Sequence, residues 1–488
     1  MPNWRQLFSL RVKKYLVAVF IFIITTSGYA QPMRCNSLSL GLHKLLAHKN
    51  PNVHIGVFVQ SMRTGHVYFS KNAYRFFAPA SVQKLFTVSA ALINLKPSYR
   101  FPTRLLTDGK ISQGILHGDL IFQFNGDPSL TEDTLTQFVK KLRALGIHRI
   151  NGNIIIDDTA FNHIPYPPGW IWDDLSFDFA APLNTVIIDR NQFGLSFVPA
   201  PRAGEKPILV PHLPNDSATF INQAITTNYP KRNCPTTIYS NENNQYLIRG
   251  CLARNQGTQN RSLAIRNLQM FTRGLIFELL RQNDIRFMPH VYYAKTPPNS
   301  SILAEHFSAP LSQLIVHLLK VSDNLYADAL LKKMGEHYSH AQGSWQNGLA
   351  AVRPVLAKDI GINLNQIQLN DGSGLSRYNM VTPYSIAQLL NYIAHSPMLR
   401  KTLIPALPIA GVDGTLADRM PDMARHKRLH AKTGSMTGVS TLAGFINTKH
   451  HGLLSFVIMI NNVPKNRFPY ILLENHICEF LMQTGSCY

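Results

Sequence analysis

The chain has 488 residues, with 48 Lys+Arg against 27 Asp+Glu for a formal charge of +21, and 45% of its residues are hydrophobic. At about 150 residues per domain, this length predicts roughly three domains and ample chain for a buried core, which excludes a disulfide-stapled miniprotein. With 15% charged and 10% aromatic residues the chain is not intrinsically disordered. Lys and Arg are scattered and form no basic stripe, so no nucleic-acid partner is expected.

The N-terminus reads as an export signal. Arg5, Arg11, Lys13 and Lys14 precede the uncharged run Tyr15 to Ile24, and Gly28-Tyr29-Ala30 supplies a small-x-small cleavage site. The apolar run is short of the roughly 20 residues of a membrane span, so cleavage after Ala30 is expected in preference to a retained anchor. Losing those four basic residues leaves 44 against 27, or +17. Export to a periplasm would put Cys35, Cys234, Cys251, Cys478 and Cys487 in an oxidising compartment. Cys234 and Cys251 flank a segment with hairpin character, and Cys478 and Cys487 lie close together; either pair could close a short loop, and spacing does not fix the pairing. Neither C-x-x-C nor H-E-x-x-H occurs, so no metal site and no cofactor is expected.

Further along, residues 52–70 alternate apolar and polar around Gly65, which predicts a β-hairpin. Ser81 to Leu95 is apolar nearly all round, the pattern of a buried central helix. Residues 104–158 carry strands in GILHGDLIFQF and GNIIIDD and a helix over 132–145. Residues 182–263, rich in Pro and Asn, predict short irregular strands. An amphipathic helix follows over 267–283, and 310–334 holds two more. STLAGFIN and LLSFVIMIN predict adjacent strands, with a closing helix over 470–482. Strands at both ends with helices between predict an α/β (α+β) fold, its sheet built from both ends of the chain. The expected division is a signal over 1–30, a main unit from 31–92 and 263–488, and an insertion over 93–262 made of two small nested domains.

Three short motifs occur in one order. Ser81-Val82-Gln83-Lys84 heads the buried helix, and residues at i and i+3 lie one above the other, so the amine can reach the hydroxyl. A serine hydroxyl needs a neighbouring base, and lysine serves where burial and positive neighbours lower its pKa. Ser322-Asp323-Asn324 joins two helical runs; facing Ser81, Ser322 could relay a proton and Asn324 could hold the lysine and a substrate amide carbonyl. Lys432-Thr433-Gly434 opens a strand-like segment, where Lys432 would attract a substrate carboxylate, the Thr433 and Ser435 hydroxyls would bind it, and Gly434 would admit a substrate backbone.

This set resembles the serine penicillin-recognising enzymes, whose signatures are S-x-x-K, S-D-N and K-T-G. Residues 371–377 (DGSGLSR) and 407–415 (LPIAGVDGT) are similar to the low-molecular-mass class C penicillin-binding proteins, which are D-alanyl-D-alanine carboxypeptidases/endopeptidases. Residues 118–120, 126–128 and 168–174 (PGWIWDD after Pro167) resemble that family's own insertion. The resemblance implies a β-lactamase/transpeptidase-like domain with an antiparallel sheet flanked by helices, interrupted by nested inserted domains between S-x-x-K and S-D-N. It also implies that Ser81 is the acylated nucleophile, Lys84 its base, and Ser322 with Asn324 the remainder of the proton network. Lys432 and Thr433 would hold the terminal carboxylate, and the N–H groups of Ser81 and Ser435 would form the oxyanion hole. Asp174 would meet the free amino end of a diaminopimelate side chain. Ser435 replaces the commoner Thr and keeps the hydroxyl.

The implied partners are peptidoglycan stems and cross-links, β-lactams as covalent inhibitors, and an anionic membrane surface attracting the basic chain. Two other classes share the pattern: a serine β-lactamase, and a non-catalytic wall-binding or sensor protein. Class A lactamases place an activating glutamate between S-D-N and K-T-G. Here Glu336 lies only twelve positions after Asn324, and the 237 residues between Lys84 and Ser322 exceed what a small lactamase needs.

Overall fold

The computed structural model describes residues 36–483, apart from 48, 215–216, 232, 289 and 427. The expected signal over 1–30, Cys35 and Cys487 lie outside the described residues. The chain begins with α1 (Asn36–Leu46), then the hairpin β1 (His54–Ser61) and β2 (Val67–Lys71), and the central helix α2 (Lys84–Leu95). After a long excursion it returns through α3 (Leu311–Val321), α4 (Asn324–Ser339) and α5 (Pro383–His395). It ends with β3 (Leu429–Met436), β4 (Val439–Asn447), β5 (Leu453–Asn461) and α6 (Phe468–Gln483).

The five strands form one antiparallel sheet in the order β3-β4-β5-β1-β2, so the two chain ends meet at the β5–β1 seam. Successive side chains on a strand point to opposite faces. Val57 and Val59, Leu442 and Ile446, Ile458 and Ile460 therefore pack with α1 and α6, while Phe58, Ala443, Phe445, Val457 and Met459 pack with α2 to α5. Both faces are covered, which explains why β4 and β5 read as continuous apolar runs with no polar alternation. Residues Leu85 to Leu92 of α2 are all buried, the outcome expected of a helix that is apolar nearly all round.

The excursion builds four further sheets. Strands Pro102–Thr107, Leu120–Gln123, Ile154–Asp157, Val291–Tyr293 and Ser301–Phe307 make a five-stranded one, and three three-stranded sheets accompany it. GILHGDLIFQF does supply two strands, Ile115–His117 and Leu120–Gln123, but they enter different sheets. A disulfide joins Cys234 to Cys251 across the antiparallel pair Thr237–Ser240 and Gln245–Ala253. Cys478 is a buried thiol on α6, facing the sheet core.

Residue 262 is not where the packing changes. Helix Leu268–Gln282 shares one apolar cluster with Leu105, Ile154, Leu195 and Ile248, and Ser301–Phe307 pairs along Pro102–Thr107. The excursion's outer strand comes back beside the strand that opened it just before α3, while Phe161, Ala181, Leu183, Ile187 and Ala264 along the way pack into the first core. Among the described residues, no helix is long and apolar enough to cross a membrane.

Candidate active site

Ser81 lies in a 3-10 turn, Ala80–Gln83, that runs directly into α2. Ala80 just before it adopts a left-handed φ of 47°, a conformation that costs a non-glycine residue roughly 1 kcal/mol or more and persists only where the surroundings hold it. Three contacts hold it here. Asn461 accepts the Ala78 N–H at 2.7 Å, Thr441 Oγ1 donates to the Pro79 carbonyl at 2.9 Å, and β3 packs against the turn at Gly434. A Cβ on Gly434 would stand 2.1 Å from Thr441 Oγ1 and 3.0 Å from the Ser81 nitrogen. The glycine therefore makes room for the serine turn, where the sequence had suggested room for a substrate.

Lys84 is wholly buried, and its Nζ has three partners: Ser81 Oγ at 2.8 Å, Asn324 Oδ1 at 2.6 Å and the Ser373 carbonyl at 2.7 Å. Burial lowers its pKa to about 8, and Asp328, Asp371 and Asp323 oppose that fall wherever they are ionised. Two of the three partners can only accept. A neutral amine would donate to those two and turn its lone pair to the Ser81 hydroxyl, the geometry a general base requires.

The Ser-Asp-Asn triplet is the joint between α3 and α4. Ser322 ends α3 in the left-handed region at φ 64°, and Asp323 caps α4 by accepting the Tyr326 N–H at 3.1 Å. That turn aims Ser322 Oγ at Lys432 Nζ, 2.8 Å away. Asn324 uses both ends of its amide, Oδ1 on Lys84 and Nδ2 on the Phe179 carbonyl at 2.7 Å. The second bond puts an insertion residue where a substrate carbonyl was expected.

Lys432 is fully buried on β3, held by Ser322 Oγ and the Thr433 carbonyl. Burial, and then the neighbouring Lys84 charge, push its pKa well down. It stands behind the cleft wall, while Thr433 and Ser435 line the cleft itself. Thr433 Oγ1 donates to Thr415 Oγ1 at 2.7 Å. Thr415 is placed by α3, since Lys320 Nζ binds both Asp413 oxygens and the Leu407 carbonyl, each at 2.7 Å.

Asp371 organises the far wall. It accepts from Gln83, Trp170, Ser373, Gly374, Ser376 and Asn379. Through Trp170, and through the Ser376 Oγ bond to the Pro168 carbonyl at 2.6 Å, it clamps the insertion loop that carries Asp174. Asp174 then lines the same cleft of about 490 Å³ as Ser81, Ser322, Asn324, Thr433 and Ser435. Burial raises its carboxyl pKa, and Arg377 opposes that rise. Sequence reasoning gave no role to Phe179, Asp328, Thr415, Arg377 or Arg419; all but Asp328 line the cleft. The signal for Asp328 was its spacing, one helical turn after Asn324. Among the described residues, no group of three or more His, Cys, Asp or Glu could hold a metal ion.

A cleft-lining serine bonded to a fully buried lysine, beside an antiparallel sheet built from both chain ends, defines a serine acyl-transfer enzyme of the penicillin-recognising kind. Residues 39–471 match the D-Ala-D-Ala carboxypeptidase 3 (S13) family, and the chain belongs to that family of serine-type carboxypeptidases. The D-alanyl-D-alanine carboxypeptidase DacB of Haemophilus influenzae is 35% identical over 413 residues, 83% of this chain and 85% of the relative. The crystal structure of penicillin binding protein 4 (dacB) from Haemophilus influenzae matches with a TM-score of 0.83 at 32% identity, covering 91% of this chain and 99% of that one. A second structure of that protein, complexed with a novel β-lactam, matches with a TM-score of 0.79 at 31% identity over 91% of this chain and 100% of that one.

Proposed function

We propose that the protein is a D-alanyl-D-alanine carboxypeptidase and D,D-endopeptidase of peptidoglycan, working through an acyl-enzyme on Ser81. The observation that carries this reading is the threefold hydrogen bonding of Lys84 to Ser81, Asn324 and the Ser373 carbonyl. Lys84 Nζ takes the Ser81 proton as Oγ attacks the carbonyl of the penultimate D-Ala. The N–H groups of Ser81 and Ser435 stabilise the oxyanion. As the tetrahedral intermediate collapses, the C–N bond breaks, and the proton held by Lys84 passes to the leaving amine by way of the Ser322 hydroxyl, which leaves Lys84 neutral again. Water then hydrolyses the ester on Ser81, and Lys84 is again the base. The Thr433, Thr415 and Ser435 hydroxyls receive the terminal carboxylate, whose charge favours the protonated form of Lys432 behind the wall against the burial that lowers its pKa.

Asp174 gives the site reach beyond the scissile bond. A carboxylate held in the cleft by the insertion suits the ammonium of a diaminopimelate side chain, and hence a cross-link. Nothing in the cleft favours a β-lactamase: Glu336 pairs with Lys333 and lines a different cleft with Gln123 and Asp157. β-Lactams should therefore acylate Ser81 and leave slowly. The basic, apolar and small-x-small segments over 1–30 support export to the periplasm, where the chain's positive charge would favour anionic wall and peripheral membrane surfaces.

Fluorescent penicillin, with Ser81→Ala as control, tests the acyl-enzyme: wild type should hold a stable covalent label and the variant none. An unlabelled wild type refutes the reading, and rapid loss of label favours the lactamase. Digestion of purified cross-linked muropeptides should convert dimers to monomers. Release of D-Ala without that conversion restricts the enzyme to carboxypeptidase work.

A further inference from the structure

Helix α4 brings a second polar side chain to α2. Asp328 lies one turn after Asn324 and is 1% exposed. Its Oδ1 accepts the Gly372 N–H at 2.7 Å, whereas its Oδ2 is buried without a hydrogen-bond partner. Asp371, equally buried, is different: its two oxygens take six donors and are satisfied as an anion. The two carboxylates flank the same lysine, but only one is solvated by the protein.

Ser373 stands between them. Its hydroxyl gives its one proton to Asp371 Oδ2 at 3.1 Å, and the same side chain faces Asp328. With that proton on Asp371 the oxygen has only lone pairs for Asp328; turned to Asp328 instead, it would favour the anion there and leave Asp371 one donor short. An ionised Asp328 Oδ2 would be an acceptor facing an acceptor in a buried site, which is strongly unfavourable. A protonated one would donate to Ser373 Oγ and complete the chain Asp328–Ser373–Asp371. The charged groups facing Asp328 are Asp371 from the loop, Lys84 from α2 and Lys332 from the next turn of α4. Asp323 and Lys432 add to the field at Lys84. Burial, then the Asp371 charge, raise the Asp328 pKa well above the usual carboxylate range, against the pull of Lys84.

We propose that Asp328 is a positioning residue that sits as a neutral carboxylic acid donating to Ser373, so that Lys84 faces one buried carboxylate instead of two and can give up its proton to serve Ser81. This deepens the assignment of Lys84 as base and rests on it. The proton balance closes within the cluster: Asp328 keeps its proton throughout, and the Ser81 proton moves to Lys84 and then to the leaving amine. Two ionised carboxylates would pull the Lys84 pKa upward against burial and leave less of the neutral amine for the reaction.

Difference infrared spectroscopy of the whole protein at neutral pH, wild type minus Asp328→Asn, reads the proton directly. The expected result is the carbonyl stretch of a buried neutral acid, present in wild type and lost in the variant. Other buried acids such as Glu474 and Asp127 cancel in the difference. Absence of that band overturns the proposal. Ser373→Ala, which leaves both carboxylates in place, should shift the same band because the acid loses its acceptor; an unmoved band also overturns it. In Asp328→Asn the acid limb of penicillin acylation should stay within about 0.3 pH units of wild type, since the amide is as uncharged as the acid. A fall of about one unit or more shows that position 328 carries charge in wild type and overturns the proposal. Penicillin labelling of Ser81 is scored separately, so a labelled enzyme without the band sinks this inference and spares the acyl-enzyme reading.

Discussion

At the scale of single residues, burial sets the chemistry. A lysine ammonium in water is no base at neutral pH; Lys84, enclosed by the core and three fixed partners, is held at about 8. The sign follows from the neutral amine being the active form. Acylation should rise about tenfold per pH unit on the acid side and level off above about 8. Stopped-flow penicillin acylation against pH checks this, and a rate flat from pH 6 to 8 would exclude Lys84 as the base. In the proposed role, Asp174 would act by charge on a group that penicillin lacks. Asp174→Asn should therefore slow dimer cleavage by about tenfold or more relative to penicillin acylation, on the scale of one charge-assisted hydrogen bond. Equal losses on both substrates would remove Asp174 from the recognition of cross-links.

Between elements, the decisive contact is β3 against the turn that carries Ser81. Gly434 and Thr441 from neighbouring strands fit around Pro79 to Ser81, and this fixes the nucleophile relative to the inner edge of the sheet. Gly434→Ala should cut acylation by about a hundredfold, because a displacement near 1 Å at a reacting atom has that effect. Melting temperature, measured alongside, separates a displaced turn from an unfolded one. Acylation near wild type would mean that the turn yields freely. The left-handed Ser322 plays the matching part on the opposite wall, since an ordinary helical exit from α3 would not direct its hydroxyl to Lys432.

For the whole molecule, the insertion belongs to the active site: Phe179 closes on Asn324, and the Asp174 loop is clamped by Asp371 and Ser376. The Cys234–Cys251 bridge, by contrast, lies in the outer sheets and closes a 17-residue separation. A loop of that size predicts a stabilisation of about 3 kcal/mol through the unfolded chain. Replacing both cysteines with serine should lower the urea midpoint of the insertion while penicillin acylation at Ser81 continues. Loss of acylation in the folded double variant would show that the outer sheets also position the Asp174 loop.

How much was legible in the sequence follows from the range of each interaction. Local periodicity marked the hairpin, the buried helix α2, the two helices around Ser-Asp-Asn and the closing strands, because each pattern repeats within a few residues. The residue order of the three motifs, together with their resemblance to a known family, named Ser81, Lys84, Ser322, Asn324 and Lys432 before any distance was known. Contacts between distant segments were not legible. Residue 262 looked like a boundary because composition changes there, yet the strand that completes the insertion's sheet comes later, at Ser301–Phe307. Gly434 looked like a space for substrate, and Lys432 like a direct holder of the substrate carboxylate, because sequence shows neither what packs against a residue nor how deep it lies. The sequence by itself determined the local elements and the candidate reacting groups that they carry. The tertiary structure alone decided which proton each group holds, since that depends on burial and on partners up to 289 positions away, as with Lys84 and the Ser373 carbonyl.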